Sequence, residues 1–477
     1  MNQLSMPIRA APFDHQRRAH ATAMDTFMSG RSRGYALLME MGCGKTITAI
    51  AVAGSLHLAG RANKLLIVAP LSILGVWQEE FDKYADFDYT LSVLNGTGAK
   101  KAETLKILDR HKVAASLIVA IINYESAWRL EKEILAWDPD IVICDEGHKI
   151  KTHNISASRA IHRIGAAASY RLLLTGTIIT NKAIDVFSQY KFLDSRIFGN
   201  SFYSFRNRYF DMVGYGNHTP VLKKSMEADL TARLHSIAFR ATKAEFLDLP
   251  ETTDIVRSVE LEPIAIKVYR DLVKESYADL GNDREVSATN ILTRLLRLSQ
   301  LTGGFIGDDE GGPTQNISRA KLNALSDIIE QAQQEGRKLV IIARFVPEIK
   351  AICAMLGKSG IGYSCIMGGV TDRDKQVSRF QTDPDCMVFV GQIATAGLGI
   401  TLTAASTMVF YSTDYSMSNH EQARARIHRV GQKQNCTYIY LAAKGTVDEK
   451  VLKALRNKAD LARMLVDDYR KGINPYE

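Results

Sequence analysis

Short apolar runs alternate with longer stretches of helical spacing along most of this chain. Tyr35–Met39, Leu65–Val68, Leu117–Ile122, Ile141–Cys144 and Leu172–Leu174 are nearly continuous hydrophobic runs. Runs of that kind are expected of parallel strands covered on both faces. Between them Ala19, Ala23 and Phe27, and later Trp77 and Phe81, recur at helical spacing, and Pro70 separates a run from the helix after it. The alternation predicts a doubly wound α/β domain. From Arg196 the pattern gives way to helical stretches. Gly303–Ser318, rich in Gly, Asp and Pro, then has the composition of a flexible connection. The strand and helix layout resumes with Lys338–Phe345, Gly362–Met367 and Cys386–Tyr411, and a last helical stretch, Val447–Tyr469, is expected to brace this second lobe. The two halves share a layout without a sequence repeat.

A length of 477 residues is too great for one hydrophobic core and predicts two or three domains. With 46% hydrophobic and 23% charged residues, the composition is that of a globular protein. No apolar run reaches membrane-spanning length, and no basic-then-apolar leader is expected, so the chain reads as intracellular. Six cysteines are scattered without a CxxC pair, which suggests neither a structural zinc site nor a disulfide framework. A formal charge of +8 makes a polyanionic partner plausible.

The chemistry concentrates where the apolar runs end. After Met39 comes a glycine-spaced turn, with Gly42, Cys43 and Gly44 leading into Lys45 and Thr46. Such a turn curls so that successive N–H groups point inward around phosphate oxygens. Lys45 would reach the β- and γ-phosphates, and Thr46 would offer a hydroxyl to Mg²⁺ at a helix N-terminus. Met39 stands where the full pattern has its first glycine, and an ordinary strand–helix turn is the alternative. About a hundred residues on, Ile141–Cys144 carries Asp145 and Glu146 to a strand end. Two adjacent acids there are costly to bury unless a metal offsets them. Asp145 would hold Mg²⁺ and Glu146 would polarise the attacking water. Together the two segments make a nucleoside-triphosphatase site.

Other signals are open to two readings. Gln16 could read an adenine edge or simply face solvent. Thr175 and Thr177 flank a glycine at a strand end, either as a coupling element or as a turn. Between Arg196 and Lys243, eight basic residues, among them Arg206, Arg208, Lys223 and Lys224, face three acids, with Phe198, Phe202, Tyr203, Phe205, Tyr209 and Phe210 interleaved. That suits nucleic-acid backbone binding, or else a helical insertion that buries its aromatics and solvates its charges. Arg426 and Arg429 share one helix face, either for surface salt bridges or for a γ-phosphate.

In order along the chain, these segments resemble the motifs of the Swi/Snf-type, superfamily-two helicase-like ATPases. MGCGKT resembles the phosphate loop, IVAPLSILGVWQEEF motif Ia, DEGH the DEAH-like box and LTGTIITN motif III. FRATKAEFLDLPE resembles the arginine-rich segment, and KLVIIARF, AGLGITLTAA and QARARIHRVGQ resemble motifs IV, V and VI. The HRVGQ ending separates this class from ordinary unwinding helicases. The resemblance runs from Gln16 to about Glu449 and implies two RecA-like lobes with a helical insertion between them. The expected boundaries are 1–195 for the first lobe, 196–316 for the insertion and linker, and 317–477 for the second lobe with its brace helix. The resemblance further implies ATP and Mg²⁺ as cofactors, double-stranded DNA and DNA-bound proteins as partners, and translocation without strand separation. By position it makes Gln16 the adenine reader. His148, Thr175, Thr177 and Gly399 become coupling residues, and Arg426 and Arg429 the γ-phosphate arginines. Gly147 stands where the box usually has Ala and is expected only to loosen the turn. Met39, Ile178 and Ala425 replace an acid, a proline and an aspartate. The spacing GQIATAGLG resembles the compact, repair-associated branch. A chain that is nearly all motor suits a bacterial or viral source.

Two competing functions remain open in the sequence. A strand-separating DNA or RNA helicase would use the same site, and HRVGQ argues against it. A nucleotide-gated clamp with negligible hydrolysis could dispense with its base, whereas Lys45, Glu146 and Arg429 are all present.

Overall fold

A computed structural model describes the chain except for residues 1–4, 111–115, 177–182, 214–218, 247–248, 283–287, 308–314, 371, 394–399, 457–473 and 475–477. The chain divides into two units, Met1–Asp248 and Leu249–Glu477.

In the first unit the apolar runs become β1 (Gly34–Met39), β2 (Lys64–Ala69), β4 (Leu117–Asn123), β5 (Ile141–Asp145) and β6 (Tyr170–Leu174). Strand β3 (Tyr89–Val93) alternates apolar and polar residues and lies at the sheet edge, where one-sided cover suffices. Strands β7 (Phe210–Val213) and β8 (Thr219–Leu222) form a separate antiparallel pair. The short β9 (Ala238–Ala241) joins the main sheet beside β1. The resulting seven-stranded sheet has the order β3-β4-β2-β5-β6-β1-β9. All its pairings are parallel. Strands β1, β4 and β5 are buried throughout, as their continuous hydrophobicity requires. Helix α1 (Asp14–Met28) turns Ala19, Ala23 and Phe27 into the core, and α2 (Lys45–Leu58) and α3 (Leu74–Tyr84) follow β1 and β2.

The second unit opens with β10 (Thr252–Val259) and, after the antiparallel pair β11 (Phe305–Ile306) and β12 (Gln315–Asn316), repeats the layout. Strands β13 (Leu339–Ala343), β14 (Gly362–Ile366), β15 (Cys386–Gln392), β16 (Thr407–Phe410) and β17 (Cys436–Ala443) complete a six-stranded sheet of order β10-β17-β16-β13-β15-β14. Its pairings are also parallel. Two doubly wound parallel sheets are the architecture expected of RecA-like lobes.

The segment 196–316, expected as an insertion, is shared between the units. Its first part contributes β9 to the first sheet, and its later part contributes β10 to the second. The helices Pro263–Asn282 and Ala288–Thr302 put Ala265, Tyr269, Leu295 and Leu298 into one apolar cluster with Val447, Val451 and Leu455 of the helix Val447–Arg456. That helix is the described part of the expected brace.

Candidate nucleotide site and its second-unit counterpart

Strand register brings the two chemical centres of the first unit to one edge of the sheet. Leu37 of β1 lies opposite Leu174 of β6, which in turn lies opposite Asp145 of β5. The phosphate loop leaving β1 and the acids leaving β5 therefore share the carboxyl edge, where open α/β sheets bind ligands. In the loop, Gly42 and Gly44 take φ of 89° and 80°, values that glycine adopts at little cost. The loop leads into α2, whose first N–H groups and dipole favour an anion. Lys45 Nζ donates to the Met39 carbonyl at 2.9 Å, an anchor that keeps the ammonium over the loop.

Asp145 is only 6% exposed, and its carboxylate is held from two sides. Trp77 Nε1 donates to Oδ2 at 2.9 Å, and the Glu146 N–H donates to Oδ1 at 2.8 Å. The Tyr124 hydroxyl donates to the Asp145 backbone carbonyl at 2.7 Å. Burial, reinforced by the adjacent Glu146 charge, pushes the Asp145 carboxyl up to about 6, while the Lys45 ammonium and the Trp77 N–H pull it down. Glu146 sits in the left-handed region at φ 51°, one of two non-glycine residues with positive φ among those described. Backbone held there costs on the order of 1–3 kcal/mol and clusters at working sites. His148 Nδ1 stands 3.2 Å from Glu146 Oε2. Thr175 is fully buried at the end of β6, and its N–H donates to Leu37 O of the neighbouring strand at 3.2 Å. Lys45, Asp145, Glu146, His148 and Thr175 are thus gathered along β1, β6 and β5. Thr177 lies outside the described residues. The oxygen donors of Thr46 and Asp145 fit a small hard cation such as Mg²⁺, which takes one or two carboxylates and completes its shell from phosphates and water.

Gly147 does more than loosen the turn. A Cβ on it would stand 2.5 Å from Leu173 Cγ, so the box packs its backbone directly against β6. Gln16 also differs from a solvent-facing glutamine: it is 5% exposed, accepts from Phe13 N at 2.9 Å and donates to Cys43 O of the phosphate loop at 3.4 Å. Sequence reasoning missed Trp77, Tyr124 and His15 as polar partners of this site. The signal available was that a buried Trp or Tyr must place its N–H or O–H on an acceptor.

In the second unit, Arg426 is buried and its carbonyl accepts from Leu402 N at 2.9 Å. Arg429 Nη1 donates to Ile400 O at 3.4 Å. Both arginines therefore border the segment that follows 394–399; Gly399 itself lies outside the described residues. Gln432, the last residue of HRVGQ, is a staple: Nε2 donates to Ala405 O at 2.8 Å and to Ile427 O at 3.2 Å, and Oε1 accepts from the N–H groups of Lys433 and Gln434. Arg424 pairs with Asp254 of β10 and lies 3.7 Å from the Tyr438 ring centroid.

In the basic aromatic segment, Phe198, Phe205, Tyr209 and Phe210 are buried in the first unit's core, whereas Tyr203 is 66% exposed beneath the Arg206 guanidinium. The aromatics mainly support the fold, the second of the two readings of this segment. Arg208 pairs with Asp229 at 3.3 Å, Lys223 Nζ donates to Asn207 O at 2.7 Å, and Lys224 is exposed.

A parallel sheet with a phosphate loop and a carboxylate pair on one edge, followed by a second parallel unit carrying an arginine motif, defines a helicase-like class of two-lobed fold. Within that class the chain belongs to the SNF2-related family. Residues 15–303 match the SNF2-related domain, and 320–431 match the helicase conserved C-terminal domain. It is 26% identical over 485 residues to the DNA repair and recombination protein RDH54 of Saccharomyces cerevisiae, an alignment covering 91% of this chain and 51% of that protein. It is 27% identical over 486 residues to a DNA repair and recombination protein RAD54-like of Drosophila pseudoobscura pseudoobscura, covering 92% and 61%. The chain thus spans about half the length of the curated relatives it matches. Among solved structures, the Sulfolobus solfataricus SWI2/SNF2 ATPase core in complex with dsDNA aligns at 25% identity and a TM-score of 0.46, covering 99% of both chains.

Proposed function

We propose that this chain is an intracellular ATPase stimulated by double-stranded DNA, which it moves along to remodel DNA or DNA-bound proteins without processive unwinding. The observation that carries the reading is the shared sheet edge of the first unit, where burial raises the Asp145 carboxyl against the pull of Lys45 and Glu146 is held in a strained conformation beside it. Lys45 and the α2 N-terminus bind the phosphates, and Gln16 reads the adenine. Thr46 and Asp145 would hold Mg²⁺, which would offset the charge of the triphosphate. Glu146 takes the proton of the attacking water. Arg429 and Arg426, which stand in the segment after the helix Met417–Arg424 and so not on one helix face, meet the charge that spreads over the γ-phosphate in the transition state. His148, Thr175, Thr177 and Gly399 transmit the state of the nucleotide. Arg206, Arg208, Lys223 and Lys224 meet duplex phosphates as exposed or half-buried cations. Membership of the family and the repair and recombination relatives support the reading.

Nucleotide trapping tests the site. Glu146→Gln should retain ATP without turnover, measured by radiolabelled ATP on filters alongside phosphate release. Loss of binding, or near-normal turnover, would remove Glu146 from the mechanism.

A further inference from the structure

Strand register brings the end of β2 beside the acids. Val68 of β2 lies opposite Cys144 of β5, one residue before Asp145, and α3, which follows β2, reaches that carboxylate with Trp77. Trp77 is 1% exposed in the first unit's core, with Leu74 and Phe81 at helical spacing on either side. Packing alone asks only for an apolar ring at this position. The indole N–H is a single donor without acceptor capacity, and it is spent on Asp145 Oδ2 at 2.9 Å.

An ionised carboxylate has about four acceptor sites. Asp145 takes Trp77 on Oδ2 and the Glu146 N–H, at 2.8 Å, on Oδ1. One donor on each oxygen fixes the rotation of the carboxylate about Cβ–Cγ and leaves further acceptor sites on both. The Glu146 N–H alone is a one-point hold about which the group can turn. Trp77 is the second point, and it sits on a ring wedged in the core, tilted against Phe81 at 6.4 Å. Donors behind a metal-ligating carboxylate set its orientation and so its affinity for the cation.

We propose that Trp77 is a positioning residue that holds the Asp145 carboxylate in the orientation that receives the cation of the nucleotide. The proposal rests on the assignment of Asp145 to Mg²⁺. Without the indole N–H the carboxylate keeps its charge and loses its fixed plane. Cation binding then weakens, while the phosphates stay with Lys45 and the loop.

The test uses the full chain and a mant-labelled, non-hydrolysable ATP analogue, whose affinity is measured by fluorescence in EDTA and in Mn²⁺. The ratio of the two affinities reports how well the cation is held, with no turnover involved. The variants are Trp77→Phe, Asp145→Asn, and a site-specific replacement of Trp77 by benzothienylalanine. That last ring has the indole's shape with sulfur in place of the N–H, so it keeps the packing even if Trp77→Phe fails to fold. Both changes at Trp77 should lower the ratio about tenfold at unchanged affinity in EDTA. They should also raise the Mg²⁺ concentration that half-saturates DNA-stimulated hydrolysis about tenfold, with kcat recovered at saturating Mg²⁺. A benzothienylalanine protein with the parental ratio, or one that loses affinity equally in EDTA and Mn²⁺, overturns the role of Trp77. A parental ratio in Asp145→Asn overturns the assignment of Asp145 to the cation, and the proposal with it.

Discussion

Replacing Gly147 by the alanine usual in the resembled family should destabilise this protein. Gly147 is not among the residues with positive φ, so alanine fits its backbone, and restricting the unfolded chain would by itself stabilise by about 0.4–1 kcal/mol. The contact decides otherwise. The new Cβ would meet Leu173 Cγ, Cδ2 and Cδ1 at 2.5, 2.6 and 2.8 Å. Leu173 is fully buried in β6, opposite Cys144 of β5, and cannot retreat without moving the core. Overpacking of this kind costs roughly 1–3 kcal/mol, so the net loss should be about 1–2 kcal/mol. Leu173→Ala alone should cost about 2–5 kcal/mol through its cavity. The double variant should cost less than the sum, by on the order of 1 kcal/mol, because the added methyl occupies part of the space vacated. All three tryptophans, Trp77, Trp128 and Trp137, lie in the first unit, so urea unfolding read by tryptophan fluorescence follows that unit. A Gly147→Ala protein as stable as the parent, or a strictly additive double variant, would refute the packing argument.

Glu146→Gln should cut hydrolysis by at least ~10²-fold while ATP still binds, as phosphate release and filter binding will show. Arg429→Ala should bind ATP and DNA almost normally yet lose most of the DNA-stimulated turnover, with an arginine of this kind worth roughly 10³–10⁵ in rate. Arg429→Lys should rescue little, since a point charge lacks the planar fork; retained turnover in Arg429→Ala would shift the role to Arg426. Neutralising Arg206, Arg208, Lys223 and Lys224 should flatten log affinity against log salt by about 0.9 for each DNA phosphate that goes without a cation, whatever the DNA sequence, and an unchanged slope would make the segment a solvated surface. Burial beside Ser55 lowers His20 to about 4, so unfolded His20 gains its proton near 6.5 and the folded residue resists until about 4. That stability is complete above pH 6.5 and is lost as pH falls; it amounts to about 2 kcal/mol between pH 7 and 5 and should vanish from the fluorescence-monitored curve of His20→Gln.

The sequence was most legible where burial is two-sided. Strands β1, β2, β4, β5, β6 and β13 announce themselves as unbroken apolar runs, and Lys45, Asp145 and Glu146 stand out because polar groups follow such runs immediately. Edge strands lack that signal. Strand β10 exposes five of its first residues in succession, Thr252 to Val256, and β9 is four residues long within a basic segment, so the division at Asp248 was not visible. Trp77, Tyr124 and His15 occupy core positions by spacing, and only the folded sheet shows that their polar tips reach Asp145 and Cys43. The reverse holds for Phe198, Phe205, Tyr209 and Phe210, whose mixture with basic residues suggested a binding surface although their rings are buried.

The central claim is that duplex DNA, through contacts with this chain, drives ATP hydrolysis at the edge formed by Lys45, Asp145 and Glu146. Steady-state phosphate release measured without nucleic acid and with single-stranded DNA, duplex DNA and RNA, beside a strand-displacement assay on the same preparation, tests it most directly. Strong stimulation by duplex without displacement is the predicted result. Stimulation by RNA alone, or displacement of a paired strand at the rate of ATP turnover, would contradict it.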